Sequence, residues 1–194
     1  MRHIISLLME NQPGALSRVV GLFSQRAYNI ESLTVSPTDD ETLSRLNITT
    51  ISDDMELEQI QKQLNKLIDV LKVQEVSELD HIERELMMVK VKASGFSRAE
   101  VKRTADIFRG QIVDVTASQY TVQMAGTSEK LDAFIQALSE VTEVIEVARS
   151  GVVGIASGER ALKPSLVKHL TKNNRQVGGF IDINSGISAG HVRG

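Results

Sequence analysis

Two stretches of this chain repeat one order of hydrophobic periods, and that repeat restricts the fold more than any single motif does. Ile4 to Met9 is an almost continuous apolar run, as a strand covered on both faces requires. Leu16, Val19, Val20 and Phe23 follow at helical spacing, opening after the breaker pair Pro13-Gly14 and closing near Arg26. Asn29 to Ser36 and Leu43 to Ile51 read as strands joined by the turn-rich Pro37-Thr38-Asp39-Asp40. Leu57, Ile60, Leu64 and Leu67 mark a second helix behind the acidic start Asp53-Asp54, and Val70 to Val76 supplies a last strand. The order is βαββαβ.

The second half runs through the same order. Glu85 to Ala93 is a strand, Val101, Thr104, Ala105 and Phe108 mark a helix, and Gln111 to Thr116 and Tyr120 to Ala125 are strands. Leu131, Phe134, Ile135 and Leu138 face one way on a helix before a final strand from Val144 to Ala148. Local matches support a true repeat: Gln25-Arg26-Ala27 lies 83 residues before Phe108-Arg109-Gly110, and Val70-Leu71-Lys72-Val73 lies 74 before Val144-Ile145-Glu146-Val147. The split order closes an antiparallel four-stranded sheet with both helices on one face, the ferredoxin-like arrangement. The expected fold is α+β, two tandem ferredoxin-like units over residues 1–76 and 83–160, joined by the polar stretch Ser77 to Ile82. The other face of each sheet needs a cover, and a second copy of the chain is the expected one.

Composition removes whole classes of function. With no Cys there is no disulfide, thiolate metal site or thiol nucleophile. The opening Met1 to Glu10 shows no signal-peptide pattern, and no apolar run approaches the roughly 20 residues that span a bilayer, so a soluble, cytoplasmic protein off the membrane is expected. A formal charge of −3, 4% aromatic residues and no Trp argue against nucleic acid. Residues 160–194 hold six basic side chains and one acidic, with glycines at 178, 179, 186, 190 and 194 and no sustained period. Residues 161–194 therefore read as a flexible tail, with a basic arm for an acidic partner as the other reading.

Catalytic signatures are missing. His3, His81, His169 and His191 show no metal-ligand spacing, and there is no G-x-S-x-G elbow, Walker loop or G-x-G-x-x-G. Gly151-Val152-Val153-Gly154 matches none of these. His81 and Glu83 read as a solvated pair on an exposed linker, and Asp39-Asp40 and Asp53-Asp54 as turn and helix-start residues. No catalytic residue and no metal ligand is assigned; the chain reads as a binder.

The densest local chemistry lies in Glu10 to Phe23, where a central strand turns into a helix through Pro13 and Gly14. A helix N-terminus offers backbone N–H groups and partial positive charge to a small carboxylate. Gly14 lets a ligand approach those amides, and Asn11 adds a donor and an acceptor, as an α-amino acid requires. The same residues also suit a plain tight turn and helix cap.

The run Asn11-Gln12-Pro13-Gly14-Ala15-Leu16-Ser17-Arg18-Val19, continued by Gly21 to Val35, closely resembles the small, regulatory subunit of acetolactate synthase (acetohydroxyacid synthase). Asp39, Ser44-Arg45, Ile107 to Val115, Gly126-Thr127 and Ala148-Arg149-Ser150-Gly151 extend the resemblance over about residues 1–160. It implies that the first half is an ACT domain, a ligand-sensing module, in a non-catalytic subunit. Such a subunit binds the catalytic large subunit, raises its activity and confers feedback inhibition by valine in branched-chain amino acid biosynthesis. Thiamine diphosphate, Mg and FAD would sit on the catalytic subunit and no cofactor on this chain. Carried over by motif, Asn11, Gly14, Ala15 and Leu16 of one chain would face Asn29 and Ile30 of its neighbour, with L-valine between them in an ACT homodimer.

Departures from the family pattern carry expectations too. Ala27 stands where relatives have Gly, and Gly110 is its counterpart in the repeat, which points to a left-handed residue after each first helix. The second half has Ala93-Ser94-Gly95-Phe96-Ser97-Arg98 in place of the Asn-x-Pro-Gly loop, favouring partner contact or dimer architecture over a second amino-acid site. Residues from about 164 onward have no counterpart in the family. Three further readings stand beside this one: an ACT-type sensor serving a different enzyme, an RNA-binding plait, and an enzyme in its own right. The plait lacks exposed aromatics and an RNP-like run, and the enzyme lacks any residue constellation.

Overall fold

A computed structural model describes residues 1–164. In the first half, β1 (Arg2–Glu10), α1 (Ala15–Gln25), β2 (Ser32–Pro37), β3 (Leu43–Ile51), α2 (Asp54–Lys66) and β4 (Val70–Glu75) follow in the expected order. The second half repeats it with β5 (His81–Lys92), α3 (Ser97–Phe108), β6 (Gln111–Val115), β7 (Gln119–Gly126), α4 (Ser128–Val141) and β8 (Val144–Arg149), then adds β9 (Val153–Ala156). The sheets run β2-β3-β1-β4 and β6-β7-β5-β8, all pairs antiparallel. Both are the ferredoxin-like order. No helix among the described residues is long and apolar enough to cross a membrane.

Alternation on the central strands builds the two cores. Ile5, Leu7 and Met9 of β1 point at Ala15, Val19 and Phe23 of α1 and at Leu57, Ile60 and Leu64 of α2, all buried. Met87, Val89 and Val91 of β5 do the same against Val101 and Ala105 of α3 and Leu131, Phe134 and Leu138 of α4. Each large side chain taken out of water in this way contributes about 1.5–3 kcal/mol before entropy is set against it. Asp53 and Glu56 close a reciprocal capping box at the start of α2, so the acidic pair is a helix start as the sequence indicates.

Three features depart from the sequence reading. First, β5 begins at His81, ahead of the expected Glu85, because β9 pairs with its opening residues: His81 lies opposite Ala156 and Arg84 opposite Val153. His81 and Glu83 therefore sit on a strand and not on an exposed linker, and Glu83 accepts from Arg2 at 2.7 Å.

Second, the outer face of the first sheet is covered by the chain itself. Val152 joins Ile4 and Val76 in one buried cluster, and Leu162 packs on Leu8, Leu43 and Leu71 in another. A Cβ at Gly154 would stand 3.2 Å from Ile4 Cγ2, and one at Gly151 only 2.9 Å from Thr34 Cγ2, so the strap lies flush because these residues are glycines. Arg45 Nη2 donates to the Gly154 carbonyl at 2.7 Å, and Ser32 Oγ accepts from Val152 N at 3.2 Å. Burial with no carboxylate beside it lowers the pKa of Arg45. Leu162 also places the start of the expected tail against the first sheet; that expectation falls, from residue 165 on, outside the described residues.

Third, the left-handed residue of the second half is Arg109 (φ 61°), not Gly110, matching Ala27 (φ 56°) at a spacing of 82 residues.

Candidate functional site

The loop after β1 is shaped by Gly14. It holds φ 85° as the N-cap of α1, and having no side chain it leaves the first helical turn without a side-chain acceptor. Asn11, Gln12, Pro13 and Gly14 are exposed, Ala15 is buried in the first core, and Leu16 is half-buried against it. Asn11 is held to the hairpin between β2 and β3: its backbone N–H donates to Thr42 O at 2.8 Å and its side-chain amide to Glu41 O at 2.9 Å. The carboxamide that the sequence assigns to a ligand thus already spends one donor on positioning the loop.

Arg18 is a residue that sequence reasoning passed over. Its Nε donates to the buried carboxylate of Asp69 at 2.5 Å, and its Nη1 lies 3.2 Å from where a Gly14 side chain would begin. The Asp69 hydrogen bond raises the guanidinium pKa. A cation therefore stands beside the uncapped end of α1, and the two features together suit an anionic group. The signal in the sequence is the spacing of four from Gly14, which puts Arg18 one turn above the loop on the same face. Gly14, Ser17 and Arg18 line one end of a groove of about 570 Å³ between α1 and α2, with Gln63 and Lys66 on its far wall.

Asn29 and Ile30 lie elsewhere. The Asn29 carbonyl accepts from Thr50 Oγ1 at 2.6 Å, and Thr50 pairs with His3 at the start of β1. Asn11 follows the end of that strand, so about 25 Å of extended chain separates the two groups within one protomer. Ile30 packs on the first core, whereas Asn29 is exposed and lines a cleft of about 600 Å³ between the halves, with Arg2, Ser32, Glu85, Arg149 and Gly151. Of the six residues singled out, the structure brings Asn11, Gly14, Ala15 and Leu16 together at one end of the sheet, and Asn29 with Ile30 at the other.

One wall of the cleft is built on charge. Glu85, buried at the start of the second sheet, accepts from Arg149 Nη2 at 2.7 Å, Arg149 Nε at 3.1 Å, Gly151 N at 3.2 Å and Ser128 Oγ at 3.3 Å. Its hydrogen bonds raise the pKa of Arg149, against the opposing effect of burial. In the second half the loop corresponding to Asn11–Gly14 carries Phe96, 83% exposed, and Arg98 is locked onto the carbonyls of Ala93, Thr116 and Ala117 at 3.0–3.1 Å. Among the described residues no group of three or more His, Asp or Glu side chains is set to hold a metal ion.

Comparison with known proteins matches residues 5–72 to the ACT domain of acetohydroxyacid synthase small subunits, and residues 84–158 to the small subunit of acetolactate synthase. The isozyme 3 small subunits of acetolactate synthase from Salmonella typhimurium and Escherichia coli are each 62% identical over 163 residues, covering 84% of this chain and all of theirs. The crystal structure of the Thermotoga maritima acetolactate synthase small subunit superposes with a TM-score of 0.76 at 36% identity, over 82% of this chain and 99% of that one.

Proposed function

The chain belongs to the acetolactate synthase small-subunit family, and from that premise we propose that it binds a catalytic large subunit, raises its activity and makes it sensitive to feedback inhibition by L-valine. Thiamine diphosphate, Mg and FAD belong to the large subunit in this reading, and this chain contributes no catalytic group.

The observation that carries the amino-acid site is the split placement of its residues. The Gly14 loop offers uncapped helical amides with Arg18 beside them, a match for a carboxylate. Asn29 and Ile30 offer a polar group and an apolar wall at the opposite end of the same sheet. One protomer cannot close on a small amino acid with both; two copies joined head to tail through their ACT domains can. A ligand held between chains favours whichever dimer geometry it fits best, and that difference in affinity is the free energy available to inhibit the large subunit.

Isothermal titration with L-valine, run beside Gly14→Asp, tests the site. The variant places a carboxylate where the ligand's own carboxylate belongs, so saturable binding to the wild-type protein should vanish in the variant while its circular dichroism melt persists. In the enzyme reconstituted with the large subunit, Gly14→Asp should keep the activation and lose the valine response. Undiminished valine binding by Gly14→Asp overturns the assignment.

A further inference from the structure

The helix layer of the first half carries a groove that its own packing does not account for. It runs between α1 and α2 from the Gly14 loop to Arg26, with a volume of about 570 Å³. Residues 1–76 hold eleven acidic side chains against seven basic ones. Yet three of the seven, Arg18, Arg26 and Lys66, line this groove, and among the described residues no acidic side chain does. Asp69, which holds Arg18, is buried behind it. Arg26 and Lys66 are exposed and have no ion pair among the described residues. Three cations gathered along one groove repel one another, and an acidic guest relieves that repulsion.

Gly21 points the same way. It stands inside α1, where glycine is a poorer helix residue than alanine. A close neighbour would explain it, but a Cβ at Gly21 would meet nothing within 4 Å. The fold has room for a side chain there. What the glycine provides is an open floor within the groove, with Leu22 and Leu67 as its apolar part.

We propose that this groove seats an acidic segment of the catalytic large subunit. The partner's identity rests on the function proposed for the chain; the seat itself does not depend on valine. Arg18 and Arg26 are eight residues apart, about 12 Å along the helix axis. In an extended segment, side chains four residues apart lie on one face at about 13 Å, so acids at that spacing reach both cations while the backbone between them passes over Gly21. Charge argues against the end of this chain as the guest, since residues 160–194 hold six basic side chains and one acidic. The seat also adjoins the loop it has to answer to. Gly14, Ser17 and Arg18 line one end of the groove, so a carboxylate bound at the Gly14 loop competes with the segment for Arg18.

The test is an activation titration, with the large subunit at fixed concentration and its activity read against rising small subunit. Arg26→Glu and Lys66→Glu should each raise the concentration for half-activation by about tenfold or more, and added salt should weaken the wild-type pair more than either variant. Lys102→Glu, an exposed charge reversal on α3, is the comparison and should match the wild type. Gly21→Ala separates docking from folding. It should raise the Tm of the free small subunit by roughly 2 °C while raising the half-activation concentration, and Gly21→Leu should raise that concentration further. Valine binding to free Arg26→Glu, followed by isothermal titration, should equal that of the wild type, so the seat and the amino-acid site stand or fall separately.

Activation curves of Arg26→Glu and Lys66→Glu that superpose on the wild type overturn the proposal. A lowered Tm in Gly21→Ala does so too, because it returns the glycine to the fold. Carbodiimide coupling of the assembled enzyme identifies the guest. Lys66 joined to an acidic peptide of the large subunit supports the seat, whereas Lys66 joined to a peptide of a second small subunit overturns it.

Discussion

Ala27 holds φ 56° without being glycine, and the strain of an L side chain in that region is what Gly would remove. Ala27→Gly should raise stability by about 1 kcal/mol, visible as roughly a 2–4 °C rise in Tm by scanning calorimetry, and Arg109→Gly should act in the same direction. Unchanged melting in both variants would remove the strain argument. The second half shows how a motif can mislead about which residue is strained. Gly110 looks like the left-handed position because glycine so often is. Yet a Cβ there would meet Val122 Cγ1 at 3.1 Å, so that glycine serves the close approach of the turn to β7 and leaves the positive φ to Arg109. Arg18 was illegible for another reason: its meaning comes from Asp69, which is 51 residues away and reaches it only through the fold.

The elements themselves could be read from period because each faces one core. Val19 and Phe23 on α1, or Met87, Val89 and Val91 on β5, announce helix and strand by spacing alone. β9 could not be read. Four residues with a glycine among them are too few to show alternation, and their partners are the first residues of β5 and the outer face of the first sheet. The strap nevertheless makes a sharp prediction through two of its glycines. Gly151 and Gly158 both hold positive φ, 84° and 74°, but a Cβ at Gly158 meets nothing within 4 Å whereas one at Gly151 meets Thr34 Cγ2 at 2.9 Å. Gly158→Ala should cost about 1 kcal/mol, from the backbone alone. Gly151→Ala should cost about 2–3 kcal/mol, the excess being the clash with β2. Urea denaturation of the pair gives the difference, and equal midpoints would mean that the strap does not seat on Thr34.

In the whole molecule, one buried carboxylate of the second half, Glu85, anchors the start of the strap that reaches the first half. Glu85→Ala would leave Gly151 N without its acceptor and Arg149 with Asp132 alone, and should cost about 1–3 kcal/mol, a lowered midpoint that calorimetry would show. Arg2→Ala, at the more exposed Arg2–Glu83 pair, should cost far less. If the two variants melt alike, the buried Glu85 cluster holds no more stability than the exposed Arg2–Glu83 pair. The pH dependence of this cluster follows from Arg149. Its pKa is raised on folding, so the stabilisation is complete below the ordinary guanidinium range and fades only as pH climbs beyond it; moderate alkali leaves the cluster intact. That cluster was not legible in the sequence, because Glu85 and Arg149 are ordinary strand residues until β5 and β8 set them side by side. β5 itself adds a mechanical consequence. Its first residues carry β9 down onto the first half, and its remainder is the central strand of the second sheet. A single extended strand of 12 residues, about 40 Å long, therefore ties the strap that seats on the first sheet to the centre of the second, residues 81–84 pairing with β9 and 85–92 with β7. A shift imposed on one end has to arrive at the other as a lever's stroke.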